Sequence, residues 1–286
     1  MKNLVVQSYA KINIALNVLS KREDGFHELD MVMLPLKLHD SIWISELKGK
    51  KDNFIVMDDY SFYIGHDNIA NKAINVLDKK VDLKGTKFRL LIHKNIPMQA
   101  GMGGGSSNAA ATLLGVNKLK KINIDIKELE EMSKPLGCDV PFFIYNKPAR
   151  CTGKGDIMTP ITVKNNYKVI IVKPDGGCST KMVYAKFDLN PEYNVCNVDD
   201  VIKALEEGDD ELLERSIGNS LQNTSISIVP EIKVIINKLK ALGIKIVMMS
   251  GSGSAVFGLS TDAKLIKKAA LALEDDYRVE VTEVLK

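Results

Sequence analysis

Four glycines fall within five positions, at 101, 103, 104 and 105, in the run Pro97-Met98-Gln99-Ala100-Gly101-Met102-Gly103-Gly104-Gly105-Ser106-Ser107-Asn108-Ala109-Ala110. No other stretch of the 286-residue chain restricts its fold so tightly. Without Cβ atoms, successive backbone N–H groups can close on a single oxyanion. Lys87–His93 reads as a strand leading in, and Ser106 to Leu119 as a helix leading out, entered through Ser-Ser-Asn with small and apolar residues at helical spacing. A strand and a helix that abut the glycines without a gap argue against a flexible Gly/Ser linker. A helix beginning at Ser106 would turn its positive end to the same point, which makes the segment a phosphate cradle. It is neither the G-x-x-x-x-G-K-[S/T] loop nor the dinucleotide G-x-G-x-x-G, because position 106 is Ser, and the H-R-D and D-F-G signatures of protein kinases are absent.

The remaining periodicity alternates strands with helices. Leu4–Val18 places Tyr9, Lys11, Asn13 and Asn17 on a polar face, as in one half-buried strand or two strands around a bend. Asp24-Gly25 signals a turn, followed by an apolar segment over Met31–Leu38 and short strand-like pieces at Ser41–Glu46 and Phe54–Met57. Asp67–Leu77 reads as a helix capped by Asp67, and Ile126–Lys134 as a helix capped by Asp125 and ended by Pro135-Leu136-Gly137. Pro141–Tyr145 and Ala149–Thr152 read as strands. Beyond a turn-rich stretch at Thr159–Asn166 come a strand (Lys168–Val172), three helices (Val198–Glu207, Asp210–Ile217, Ile232–Leu242), two strands (Ile244–Ser250, Ala255–Leu259), a helix (Ala263–Glu274) and a strand (Val279–Leu285). Without regular strand-helix-strand repeats, this order predicts α+β rather than a doubly wound parallel sheet. The composition shift near 155–167 predicts two lobes, residues 1–160 and 161–286.

Composition narrows the partners. With 39 basic and 36 acidic residues, and with Lys118-Leu119-Lys120-Lys121 offset by six acids between Glu206 and Glu214, the charge is too balanced for a chain that tracks nucleic-acid phosphates. The four cysteines, Cys138, Cys151, Cys178 and Cys196, form no Cys-x-x-Cys pair and read as structural thiols. No apolar run approaches the length of a membrane span, and no secretory leader is visible before Lys11, so a cytoplasmic protein is expected.

Three ordered segments resemble one family. The glycine-rich run is similar to the second motif of the GHMP kinases, which act on galactose, homoserine, mevalonate and phosphomevalonate. Tyr9-Ala10-Lys11-Ile12-Asn13-Ile14-Ala15-Leu16 resembles that family's first motif, and Met249-Ser250-Gly251-Ser252-Gly253-Ser254-Ala255-Val256-Phe257-Gly258 resembles its third. The segments Arg22–Leu29, Gly103–Ala110 and Leu136–Phe143 narrow the likeness to the branch that phosphorylates the 2-hydroxyl of a cytidine-diphosphate-linked methylerythritol, in the non-mevalonate route to isoprenoids. Phe26 stands where that branch usually has Tyr, and Cys151–Asp156 is a looser version of a more basic segment.

The resemblance implies a two-lobed α+β fold, with an N-terminal lobe similar to a ribosomal-protein domain and a ferredoxin-like C-terminal lobe. It implies ATP as donor and Mg²⁺ as companion, with Ser107 a candidate ligand and no full ligand set assigned. Asp139 would be the base for the acceptor hydroxyl, and Lys11 the ammonium that stabilises developing negative charge. Pro97, Met98, Gln99, Ala100, Gly101, Met102, Gly103, Gly104, Gly105, Ser106 and Ser107 would wrap the phosphates, with Asn68 and Lys94, and less clearly His66, near the adenine or phosphates. Asn13, Phe26, His27, Tyr184, Gly251, Ser252 and Gly253 would form the acceptor end: Phe26 stacks on cytosine, His27 reads its hydrogen-bonding edge, and Tyr184 supplies the opposing ring. The partner implied is a small molecule, with no nucleic acid and no membrane; oligomeric state is not implied. Two alternatives stay open, a family member acting on a mevalonate- or homoserine-type alcohol and a non-catalytic nucleotide-binding relative.

Overall fold

The computed structural model describes residues 3–57, 62–63 and 68–286. Two long neighbouring strands open it, β1 (Asn3–Lys21) and β2 (His27–Leu47). The alternation over Leu4–Val18 thus belongs to one continuous strand, and β2 absorbs both the Met31–Leu38 segment and the piece at Ser41–Glu46. Asp24-Gly25 makes the turn between them: Gly25 sits at φ +82°, a glycine conformation, and Phe26 N donates to Asp24 Oδ1 at 3.1 Å.

The chain forms two compact units that interleave along the sequence. Residues 1–10, 39–96 and 103–146 make the first, and residues 11–38, 97–102 and 147–286 the second. β1 and β2 each contribute residues to both.

In the first unit, β2 is followed by β3 (Phe54–Met57), β4 (Phe62–Tyr63), α1 (Ile69–Val81), β5 (Lys87–His93), α2 (Gly104–Lys120), α3 (Ile126–Ser133) and α4 (Val140–Tyr145). β5 pairs antiparallel with Ser41–Leu47 of β2 and parallel with β3, which pairs with β4. The cap of α1 is Asn68, whose side chain accepts from Ala70 N at 2.7 Å; Asp67 and His66 lie outside the described residues. Asp125 caps α3 as its spacing predicts. Pro141–Tyr145 is helical, a correction to the strand expected there. Val140, Pro141, Phe142, Phe143 and Ile144 are all buried, so the segment shows no polar face to mark its period, and Pro141 falls in the first turn, where its missing N–H costs nothing. α2 packs against α1 and α4. Gly115 makes room for the sheet: a Cβ there would overlap Ile44 Cδ1 and lie 3.3 Å from Val6. Gly115→Ala is expected to lower unfolding stability by about 1–3 kcal/mol, read from urea denaturation.

The second unit adds β6 (Ala149–Gly153), β7 (Ile157–Pro160), β8 (Lys168–Lys173), α5 (Thr180–Phe187), α6 (Val198–Glu207), α7 (Asp210–Ser216), β9 (Gly218–Asn219), α8 (Gln222–Ile226), α9 (Glu231–Ala241), β10 (Ile246–Met249), β11 (Val256–Ser260), α10 (Ala263–Leu271) and β12 (Arg278–Glu283). β6 pairs with Leu29–Met33 of β2 and with β7, while β9 runs parallel beside Ala15 and Leu16 of β1. A separate antiparallel sheet has the order β10-β11-β8-β12. With helices between β8 and β10 and α10 between β11 and β12, this is the ferredoxin-like arrangement. Its two inner strands are mainly apolar, with Val169, Ile170, Ile171 and Val172 of β8 and Val256 and Phe257 of β11 each fully buried, whereas the edge strand β12 alternates polar residues. α5, α8 and β9 have no counterpart in the sequence-based expectation. Among the described residues, no helix is long and apolar enough to cross a membrane.

Candidate active site

Within the second unit, three segments distant in sequence meet around Gly101. Lys11 is 4% exposed, and its Nζ donates to Asn13 Oδ1 at 2.6 Å and to Gly101 O at 2.9 Å. Lys11 N donates to Met102 O at 3.2 Å, which fixes the strand to the loop. From the other side, Ser250 Oγ donates to Gly101 O at 3.1 Å, Ser254 N to Gln99 O at 3.2 Å and Ala255 N to Ala100 O at 3.3 Å. Gly101 has φ +71°, and a Cβ on it would overlap Ser250 O. A Cβ on Gly251 would lie 2.8 Å from Gly101 O and 3.2 Å from Lys11 Nζ. Both glycines therefore answer to close approach, and together the three segments hold a buried ammonium at one spot.

Residues that sequence reasoning passed over hold the 250–254 turn. Asn219, on β9, donates to Met249 O at 3.0 Å and to Gly251 O at 2.8 Å. Ser225 Oγ donates to Ser252 O at 3.0 Å, and Thr180 Oγ1 lies 2.9 Å from Ser252 Oγ. Gln99 packs on Gly177, where a Cβ would overlap its Oε1.

Also in this unit, the His27 ring is 7% exposed and stacks on Tyr184, with centroids 4.7 Å apart. Its Nε2 is 2.7 Å from Asp188 Oδ1, and Lys21 donates to the other carboxylate oxygen at 2.6 Å. Burial acts on the Asp188 carboxyl in the upward direction, but these hydrogen bonds outweigh it and hold the group below the usual carboxylate range. Tyr184 thus backs the imidazole. Phe26 is half exposed, with Lys154 Nζ 4.8 Å from its ring centroid.

In the first unit, α2 starts at Gly104, two residues earlier than the sequence predicts. Gly103 occupies the cap position at φ +69° and provides no side-chain cap, so the helix begins inside the glycines because only glycine enters it there without strain. The N–H groups of Gly104, Gly105 and Ser106 have no acceptor within the helix, which leaves the positive end open to an anion. Lys94 Nζ is held near this turn: a Cβ on Gly104 would be 3.2 Å from it. The ammonium pairs with Asp40, which is fully buried. Asp139 is half-buried at the cap position of α4 and makes no capping hydrogen bond. It follows Gly137, where a Cβ would be 3.9 Å from Ser106 Oγ, so the turn carrying the carboxylate passes the start of α2. Asn68 Oδ1 is committed to capping α1. No group of three or more His, Cys, Asp or Glu side chains able to hold a metal occurs among the described residues.

Comparison with known proteins matches residues 68–147 to the GHMP kinases N terminal domain and residues 201–279 to the GHMP kinases C terminal domain. The chain is 35% identical to 4-diphosphocytidyl-2-C-methyl-D-erythritol kinase of Macrococcus caseolyticus, covering 93% of each chain. The chain belongs to the GHMP kinase family. It is an ATP-dependent small-molecule kinase. The kinase is also 38% identical to the Geobacillus thermodenitrificans protein of the same name, covering 90% of this chain and 88% of that one. A solved structure of 4-(cytidine 5'-diphospho)-2C-methyl-D-erythritol kinase superimposes with a TM-score of 0.81 at 30% identity, over 99% of this chain and 100% of the other.

Proposed function

We propose that this kinase transfers the γ-phosphoryl group of ATP to the 2-hydroxyl of 4-diphosphocytidyl-2-C-methyl-D-erythritol. The observation that carries this reading is the meeting of Lys11, Gly101 and Ser250–Ser254 around one buried ammonium, in a chain whose full-length relatives bear that enzyme's name. Asp139 takes the proton of the acceptor hydroxyl as its oxygen bonds the γ-phosphorus and the bond from phosphorus to the bridging oxygen of ADP breaks. In a loose transition state little bond-making needs assistance, so alignment and charge neutralisation dominate. Lys11 stabilises the charge that develops on the entering oxygen and the phosphoryl group. Residues 97–107 wrap the ADP portion, with the N–H groups of Gly104, Gly105 and Ser106, which have no acceptor within α2, directed to its phosphates and with Asn68 and Lys94 at its margin. Mg²⁺, when bound with the nucleotide, would supply positive charge to the phosphoryl oxygens. The Ser107 hydroxyl oxygen is the side-chain donor this chain offers such an ion.

Phe26 and His27 bind the cytosine, with Tyr184 behind the imidazole, and Asn13, Gly251, Ser252 and Gly253 line the alcohol end. Stacking tolerates any base, so hydrogen bonds must supply the choice of cytosine. CMP is expected to compete with the acceptor, and His27→Ala to reduce the preference for cytidine- over uridine-linked acceptor by about tenfold or more. Absence of competition by CMP, or unchanged selectivity in a folded His27→Ala variant, contradicts the cytidine reading.

A further inference from the structure

No pattern in the sequence singles out Asp40, yet it is fully buried and holds more hydrogen bonds than its position at the edge of a strand pair requires. β2 pairs Ser41 with His93, so Asp40 faces the chain as it leaves β5. Its Oδ1 accepts from Asn95 N at 2.9 Å and Ile96 N at 2.8 Å, and its Oδ2 accepts from Asn108 Nδ2 at 2.9 Å and from the Lys94 ammonium. Four donors, one of them an ammonium, thus converge on this buried carboxylate.

Donor and acceptor capacity sets the proton order as far as Asn108, and the geometry of the Ser8–Ser107 pair sets the last step. An ammonium only donates and a carboxylate only accepts. Asn108 turns Oδ1 to Lys94 Nζ at 3.3 Å and Nδ2 to Asp40, so its carboxamide has one permitted orientation. Both Nδ2 protons are then spent, on Asp40 and on Ser8 Oγ at 2.9 Å. Ser8 in turn donates to Ser107 Oγ at 2.8 Å. Ser107 therefore accepts in that bond, and its own hydroxyl proton meets no acceptor among the described residues although the residue is 1% exposed. Ser107 lies in the second turn-forming position after the glycines, and Lys94 Nζ is held over the same end of α2.

We propose that Asp40 is a positioning residue for the nucleotide: through Asn108 and Ser8 it orders the chain of protons so that Ser107 presents its hydroxyl as a donor to a phosphoryl oxygen, while it fixes the Lys94 ammonium beside the same anion. This rests on the reading of the glycine-rich loop as the nucleotide site. Asp40→Asn inserts a donor where four donors converge, so the order cannot be kept. Ser8→Ala removes the hydroxyl that accepts from Asn108 and donates to Ser107, and leaves the Asp40 carboxylate and the Lys94 ammonium in place.

The test is calorimetric titration of ADP into the purified parent and the two variants, with KM for ATP and for the acceptor measured alongside. Asp40→Asn is expected to weaken ADP binding and raise KM for ATP about tenfold or more, Ser8→Ala about threefold to tenfold, with KM for the acceptor unchanged in both. A role confined to holding the fold would lower the melting temperature and the active fraction and leave the ADP Kd alone. ADP affinity and ATP KM within about twofold of the parent, in either folded variant, overturn the proposal. If Asp40→Asn does not fold, Ser8→Ala decides. Failure of the nucleotide reading is separate, because the parent itself would then not bind ADP.

Discussion

Asp139→Asn is expected to slow phosphorylation of the cytidine-linked acceptor by about 10²–10⁴-fold, the range spanned by loss of a general base. The substitution keeps shape and removes charge, so it isolates proton transfer. Asp139 stands at the cap position of α4 without a capping hydrogen bond, and the helix is carried by the burial of Val140 to Ile144 instead. Melting within a few degrees of the parent, with a reduced single-turnover rate and unchanged acceptor KM, is the pattern expected of a base. Lys11→Ala should slow the chemical step over a similar range but behave differently in binding. Its ammonium also holds Gly101 O and Asn13 Oδ1, so truncation frees the loop and raises KM for ATP as well. A folded Asp139→Asn variant that works at near-parental rate removes the carboxylate from the mechanism.

Gly101→Ala carries the second large effect. The added methyl meets backbone, not a flexible side-chain end: it overlaps Ser250 O and lies 2.9 Å from Gly253 N, at a φ of +71° that alanine adopts only with strain. Either the 250–254 turn or the 97–102 loop must move, and each is held by hydrogen bonds at Ser254 N, Ala255 N and Ser250 Oγ. A displacement of about 1 Å at groups that align a reaction costs on the order of 10²-fold in rate. We expect kcat/KM for ATP to fall by about that factor, together with a measurable loss of stability in urea. Gly251→Ala would push the same carbonyl and Lys11 from the opposite side, so the two substitutions should not be additive.

The parts of the site that were legible in the sequence share one property: their meaning lies in local pattern. Four glycines between a strand and a helix need no tertiary information to be read as an anion cradle, and Lys11 and Gly251–Gly253 stand inside ordered segments that resemble a family. Asp40, Asn108, Asn219 and Asp188 are ordinary polar residues until their partners are known, and the partners named above lie 14 to 167 positions away. The secondary structure divides in a similar way. Long elements with one wet face, such as α6, came out to the residue, whereas the apolar run at Pro141–Tyr145 gives no period and the start of α2 is set by glycine backbone geometry. Short α5 and α8 carry too few residues to show a stripe, although Tyr184 sits on the first of them.

The most direct measurement is the rate of ADP formation from ATP by the purified protein with no acceptor, with mevalonate, with homoserine, and with 4-diphosphocytidyl-2-C-methyl-D-erythritol. Turnover that depends on the last, with one phosphate found on its 2-hydroxyl, is the predicted result. Acceptor-independent hydrolysis, no turnover at all, or equal rates with mevalonate or homoserine would contradict it.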